Sequence, residues 1–289
     1  RAGIARVVVG VLDPFPAMQG RSVEALRAAG IEVRLGVEEE AAARRILGFA
    51  RAVAVGLPEV TAKAAISADG HIATATGESQ WITGPQARQH GHVLRARHDA
   101  ILVGIGTALA DDPRLNTRLP PGVLPGPQIS RDPVPVVLDT HLRLPGTAQL
   151  LQGPGAVVIC GPEAPQRELQ AEIVRVPRLP GGGVDPVAAL AALSERGLHR
   201  VLVEGGGRIH RTLLDAALVD NLELYLAPIV LPGGRPWVAG PPVEALEQGF
   251  GMELVETERL GPDVRLSFRL VHGTAPDPLS TLRSTPPTR

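Results

Sequence analysis

The chain has 289 residues, 44% of them hydrophobic, a formal net charge of -1 and one cysteine. A chain of that length buries one full α/β core with a substantial segment left over, and its balanced charge lacks the basic footprint of a nucleic-acid partner. No apolar run approaches the roughly 20 residues that cross a bilayer, which argues against a membrane partner, and a lone cysteine excludes an internal disulfide or a multi-cysteine zinc cage. The opening RAGIARVVVG lacks the ordered regions of a signal peptide, so the expectation is a cytoplasmic protein. Because it starts on Arg, the expectation is that the chain is a fragment or a processed product.

In chain order, residues 5–11 form an apolar, β-branched run ending in an Asp-Pro turn, and 22–29 have helical spacing closed by Gly30. After a second short strand, residues 38–51 read as one acidic-started, alanine-rich helix, and a domain boundary is expected near Leu57. Beyond it strands and helices alternate: strand 60–67, helix 84–98, strands 100–104, 136–139 and 156–160, helix 185–196 stopped by Gly197, strand 201–204, then helix 208–218. Such alternation predicts a mainly parallel sheet with helices on both faces. Residues 252–258 and 264–270, joined by Gly261, Pro262 and Asp263, predict an antiparallel hairpin at the sheet edge. The core is expected over 58–271, with a surface loop at 120–135 and a disordered Pro/Ser/Thr-rich tail over 272–289. Cys160, in VVICG, is expected to be a buried strand residue.

Three constellations carry chemistry. In VEGGGRIHRTLL a buried strand enters three glycines and then a helix, where free N–H groups and the positive end of the dipole suit a pyrophosphate. The spacing departs from G-x-G-x-x-G, so a standard Rossmann site is not implied. Glu204 sits at the carboxyl end of that strand. In TAKAAISADGHIATATGESQWITGPQAR, Lys63, the only lysine of the chain, lies on a strand, and Gly77, Ser79 and Trp81 precede a helix on which Arg88 and Arg95 share a face. An isolated Trp among small hydroxyl residues suits a flat ring or a sugar. In DAILVGIGTALADDPRLNTR a strand ends at Gly104 and Gly106, followed by a loop bearing Thr107, Asp111, Asp112, Arg114 and Arg118. Adjacent carboxylates before Pro read as a helix-ending turn, and no His or third acid stands at metal-ligand spacing.

Together SADGHIATATGESQWITG, ILVGIGTALADDPRLNTR, VEGGG and LYLAPIVLPGG resemble, in order and spacing over residues 58–270, the reductase domain of the bacterial bifunctional riboflavin-biosynthesis deaminase/reductase. The resemblance implies a dihydrofolate-reductase-like fold, a homodimer, and hydride transfer from NADPH to the ribose of 5-amino-6-(5-phosphoribosylamino)uracil. The positions that match the family's cofactor contacts are Ala65, Trp81, Thr107, Asp111, Thr140, Gly206, Gly207, Arg208, Ile209, His210, Arg211 and Thr212. Those that match its substrate contacts are Lys63, Ser79, Arg95, Leu115, Arg118 and Glu204. Thr140 stands where a serine is common, a swap that keeps the hydroxyl. In this reading Arg95 and Arg118 each offer a fork to the substrate phosphate, Lys63 holds a pyrimidine carbonyl, and Glu204 its N–H groups. The catalytic proton source stays open between Asp111 and Glu204, directly or through water. Arg208 and Arg211 are the candidates for a 2′-phosphate.

The first 57 residues resemble the end of the family's deaminase domain, a cytidine-deaminase-like fold. Its zinc-binding H-x-E and P-C-x-x-C motifs are missing here, so no zinc and no deamination are expected of this chain. Two other readings compete: a reductase of the same fold acting on a pterin or another imine, and a catalytically silent NADP-binding or dimer-forming module. The arginine pair favours a phosphorylated substrate over a pterin.

Overall fold

In the computed structural model, which describes residues 3–120, 122–123, 132–153 and 155–271, the chain divides into two compact units, one ending at Glu59 and one beginning at Val60. The tail expected at 272–289 and most of the 120–135 loop lie outside the described residues.

The N-terminal unit is a strand–helix–strand with two further helices. Strand β1 (Arg6–Val9) is followed by α1 (Arg21–Ala28) and then pairs in parallel with β2 (Glu32–Leu35), Val7 opposite Val33. The single helix expected over 38–51 is instead two, α2 (Glu39–Arg45) and α3 (Leu47–Val55). Ile46, at φ -106° and ψ 8°, breaks the ladder between them. It leaves helical geometry to pack with Val11 against Ala43 and Ala50, the small core of this unit. Two four-residue strands cover little, and Val8, Phe15, Met18 and Phe49 remain exposed.

The second unit is built on a nine-stranded sheet. Its elements in chain order are β3 (Glu59–Ser67), β4 (His71–Ala73), α4 (Pro85–Ala96), β5 (Ala100–Gly104), α5 (Ile105–Asp111), β6 (Val134–Leu138), β7 (Val157–Cys160), β8 (Glu172–Arg175), α6 (Pro186–Ser194), β9 (Arg200–Val203), α7 (Gly207–Asp215), β10 (Asn221–Ala227), β11 (Arg235–Pro236), β12 (Met252–Leu260) and β13 (Asp263–Leu270). The strand order is β12-β13-β10-β3-β9-β5-β6-β7-β8, with β11 and β4 paired apart from it. Strands β9, β5, β6, β7 and β8 run parallel, as do β10 and β3. The hairpin β12–β13 joins antiparallel to β10 and puts β12 at the edge, as the Gly261 turn predicts.

The reasons are local. AILVG, VPVVL and VVIC are unbroken apolar runs, the mark of parallel strands covered on both faces, and Cys160 is fully buried in β7. Helix α6 starts where the Asp185 side chain accepts from the Val187 and Ala188 N–H groups, with Pro186 at the first helical position. Gly197, at φ +73°, follows its end. The residues after Gly104, read as loop, form the short helix α5. Strands β4, β8, β10 and β11 were absent from the sequence reading. In β10 Asn221, Glu223 and Tyr225 alternate with Leu222, Leu224 and Leu226, so NLELYLA does carry the period-2 pattern of a strand, although both faces are nearly all buried.

One tertiary contact sets the helix that serves the site. Asp263, the first residue of β13 and 1% exposed, accepts the Gly84 N–H at 2.7 Å, and Gly84 caps α4. Asp263→Ala would leave that donor unpaired and is expected to cost about 1–3 kcal/mol, read as a lower urea midpoint with an unchanged slope. Asp263→Asn, which keeps an acceptor, should recover most of it.

Candidate active site

The parallel strands β5, β6, β7 and β9 bring their carboxyl ends to one side of the sheet, where open α/β sheets bind ligands. From β9 the chain passes through Glu204 and Gly205 to Gly206, the N-cap of α7, which no side chain caps. The first N–H groups of α7 therefore face outward with the positive end of its dipole. The glycines here serve different ends. A Cβ on Gly207 would lie 2.5 Å from the Pro236 carbonyl oxygen, so its bareness lets the 236–239 segment close over the turn. A Cβ on Gly104 would lie 2.6 Å from Ile209 Cδ1, so its bareness lets α7 seat against the neighbouring β5–α5 turn. Gly206 is different: a Cβ there would meet only Thr107 Oγ1, at an ordinary 3.7 Å. No protein atom requires a glycine at that position, which leaves a cradle at a helix N-terminus that fits a dinucleotide's pyrophosphate. Thr107, on α5, faces the same opening.

Beside the turn lies a charged cluster. Along β3 all positions are buried except Lys63 and Ala65, two residues apart and therefore on one face, where the strand opens to the site. Glu204 takes a bidentate fork from Arg95 of α4, Nε to Oε1 at 2.9 Å and Nη2 to Oε2 at 2.6 Å. Their side chains are 16% and 11% exposed. Burial by itself would raise the Glu204 pKa, but the charges of Arg95 and then Lys63, with the Arg95 hydrogen bonds, outweigh it and hold the carboxyl at about 2. Burial drives the Lys63 ammonium down; Glu204 opposes this and Arg95 adds to it. The Lys63 Nζ lies 5.4 Å over the ring of Tyr225, whose hydroxyl bonds to His90 Nδ1 at 2.8 Å. In register Glu223 also stands opposite Lys63, but Arg265 and Ser267 occupy both its oxygens.

The loop after α5 completes the wall. Asp112 and Leu115 take left-handed conformations, φ +39° and +52°, uncommon for such residues and a mark of a chain held in place by its surroundings. Leu115 is buried, and the turn presents the Asn116 carbonyl to Arg95 Nη1 at 3.0 Å. Arg118, exposed, follows on the same loop and lies near enough to His92 of α4 for its charge to act on that ring. Of the paired acids, Asp112 turns away to Gln149, accepting its N–H at 2.8 Å. Asp111 stays at the end of α5, and partial burial raises its pKa.

Ser79 and Trp81 stand in the segment just before α4. Trp81 is 67% exposed, and the Arg88 guanidinium lies 4.7 Å from its ring centre while donating to the Thr83 carbonyl at 2.8 Å. Thr140 lies just past β6, its carbonyl accepting from Gly161. Within α7, Arg208 is exposed and the Thr212 hydroxyl bonds back to its carbonyl. His210 is buried and bonds to the Trp237 carbonyl. Arg211 is committed to Asp215 and the Pro241 carbonyl.

The structure thus draws together Lys63, Arg95, Glu204, Asn116 and the loop bearing Arg118, and sets Thr107 against Gly206. It differs from the sequence expectation at Arg95: the fork anticipated for a phosphate is closed on Glu204, a permanent carboxylate one residue from the glycine turn. Tyr225 and His92 were missed. Tyr225 is the only tyrosine, a signal as plain as the lone lysine, and His92 falls on the face shared by Arg88 and Arg95.

A protein-family model described as the RibD C-terminal domain matches residues 58–266. The riboflavin biosynthesis protein RibD of Escherichia coli (strain K12) is 36% identical over 273 residues, covering 92% of this chain and 74% of the relative. Among solved structures, Acinetobacter baumannii RibD, form 1, aligns with TM-score 0.80 at 33% identity, covering 93% of this chain and 73% of that one. A Thermotoga maritima diaminohydroxyphosphoribosylaminopyrimidine deaminase/5-amino-6-(5-phosphoribosylamino)uracil reductase aligns with TM-score 0.78 at 30% identity, covering 93% and 72%.

The two adjacent glycines give opposite predictions. Gly206→Ala should change stability by no more than about 1 kcal/mol yet weaken binding of a dinucleotide roughly tenfold, the equivalent of about 1.4 kcal/mol. Gly207→Ala should destabilise the fold by about 1–3 kcal/mol through overpacking. Thermal melts with and without the nucleotide separate the two effects.

Proposed function

The chain belongs to the RibD C-terminal domain family, and from that we propose that it is the reductase of riboflavin biosynthesis that converts the ribose of 5-amino-6-(5-phosphoribosylamino)uracil to a ribityl chain with NADPH. One observation carries the reading. Arg95 grips both Glu204, one step before the glycine turn, and the Asn116 carbonyl on the loop that bears Arg118. That link supports reading the nucleotide cradle and the cationic loop as one site.

When bound, NADPH supplies the hydride that reduces ribose C1′. Gly206, Gly207 and the α7 N-terminus are proposed to hold its pyrophosphate, with Thr107 and Thr140 as hydroxyl contacts, Ala65 leaving room on β3, and Trp81 as a flat wall. With Arg211 committed elsewhere, Arg208 is the proposed partner of the 2′-phosphate, alongside Ile209, His210 and Thr212 on the same helix turn.

On the substrate side, Lys63 donates to a pyrimidine carbonyl and Glu204, a fixed anion, accepts from the ring and amino N–H groups. Arg95 keeps Glu204 in that orientation, while Arg118, with Ser79 and the turn at Leu115, receives the phosphate. Ring opening breaks the C1′–O4′ bond: O4′ gains a proton, the exocyclic nitrogen loses one, and a C1′=N imine forms. Hydride addition at C1′ and a proton on that nitrogen complete the reduction. Asp111, directly or through water, is the proposed source; Glu204, held at about 2 chiefly by the Arg95 charge against its burial, is not. Alignment of donor and imine supplies much of the rate.

The reading extends to a homodimer, as the family resemblance implies, and to a cytoplasmic location. It also takes the N-terminal unit as the end of a deaminase domain, which its exposed apolar side chains suit. No deaminase chemistry is proposed for this chain, whose sequence lacks the motifs for it.

Loss of the near-ultraviolet absorbance of NADPH on adding the phosphoribosylamino-uracil is the direct assay; a folded protein that shows none would end the proposal. Arg118→Ala is expected to raise KM about 10- to 100-fold, the strength of a hydrogen bond to a charged group, with kcat little changed because the phosphate is remote from C1′. Lys63→Arg should weaken substrate binding although charge is conserved, since a planar fork cannot replace a compact ammonium above Tyr225. Full activity in that variant would assign the lone lysine to drift.

A further inference from the structure

Helix α4 turns three cationic or ionisable side chains to one side: Arg88, His92 and Arg95, spaced by four and three residues. The outer two are occupied, Arg88 with Trp81 and the Thr83 carbonyl, Arg95 with Glu204 and the Asn116 carbonyl. The middle one is only half satisfied, by a hydrogen bond with the Asn116 backbone. His92 Nδ1 is sealed from solvent without a hydrogen-bond partner, and so is the side-chain oxygen of Asn116, whose backbone carbonyl lies against the same ring. Orphaned buried polar atoms are rare in folded proteins and call for an explanation. Two of them beside Arg118 point to a polar guest.

We propose that His92 is a further ligand of the substrate phosphate, next to Arg118, and that it binds as an imidazolium formed when the dianion arrives. The inference rests on the phosphate pocket assigned to Arg118 above. The groups that face the ring are Arg95 from its own helix, Arg118 from the loop after α5, and Glu204 from the end of β9. In the free protein burial, then the charges of Arg95 and Arg118, push its pKa down, while Glu204 and the Asn116 carbonyl act weakly the other way. The ring is therefore neutral near pH 7. A dianion set between His92 and Arg118 reverses that balance and gives Nδ1 a partner. The proton comes from solvent, so binding is coupled to proton uptake. Affinity is highest below the free-state pKa, falls as pH rises from there to the bound-state pKa, and then levels.

Ribose 5-phosphate is the probe, titrated calorimetrically at pH 7 in two buffers of different ionisation enthalpy, so that the buffer dependence counts protons. The wild type should take up more protons than His92→Gln or His92→Asn and bind the probe about 3- to 10-fold more tightly, both variants keeping the wild-type melting temperature. Its affinity should also decline more steeply between about pH 6 and 8; the phosphate's own ionisation is common to all three proteins and cancels in the comparison. Equal affinity and equal proton uptake in wild type and variants overturn the proposal. Weaker binding with equal uptake overturns its protonation step. If the wild type fails to prefer ribose 5-phosphate to ribose, the Arg118 pocket itself is wrong; if that preference survives unchanged in both variants, the pocket stands and the role of His92 is refuted.

Discussion

A carboxylate at the end of a buried strand stays ionised only if something replaces the water it has lost, and at Glu204 the replacement is the Arg95 guanidinium. Removing one partner of such a pair leaves an uncompensated buried charge, which typically costs roughly 3–5 kcal/mol. The fork therefore fixes more than a charge. It sets the end of β9 against α4, and through the third Arg95 hydrogen bond it fixes the loop after α5. The end of β9, which leads into the glycine turn, and the cationic loop are both held by that one guanidinium.

The sheet supplies the second constraint. Lys63 has two acids within reach by register and order, Glu223 across β10 and Glu204 at the end of β9. Arg265 reaches Glu223, Glu256 and Glu258 at once, and Ser267 adds a hydrogen bond to Glu223. That network closes on itself at the β10–β13 junction and leaves Glu204 as the acid whose charge supports the ammonium. Tyr225 then lies under Lys63, with its hydroxyl satisfied by His90, so the apolar ring rather than a second anion faces the ammonium. A cation held over an aromatic face and opposed by one anion keeps donors free for a ligand.

Helix α4 shows how a single element distributes different tasks along one face. Its start is fixed by Asp263, its first inward arginine braces Trp81, and its last holds Glu204. Trp81 and Glu204 are thus both referred to the same rigid rod, which gives a precision that loops alone lack.

The sequence by itself determined the class of the main domain, because continuous apolar strands alternating with capped helices admit few arrangements other than a covered parallel sheet. It also determined the glycine turn, the lone Lys63 and the ordered motifs, since those signals are local in the chain. It also held β10, in the alternation of Asn221, Glu223 and Tyr225 with three leucines, but was blind to the break at Ile46, which follows from packing against Val11 rather than from helix propensity. Only the tertiary structure decided that Arg95 closes on Glu204, that Arg211 is committed to Asp215, and that Gly206 rather than Gly207 leaves room for a guest. Those outcomes depend on side chains more than a hundred residues apart in one case, and on a neighbouring segment folding back over the turn in another. A pattern of residue types carries no record of such partners, because an arginine reads the same whether its fork is open or filled.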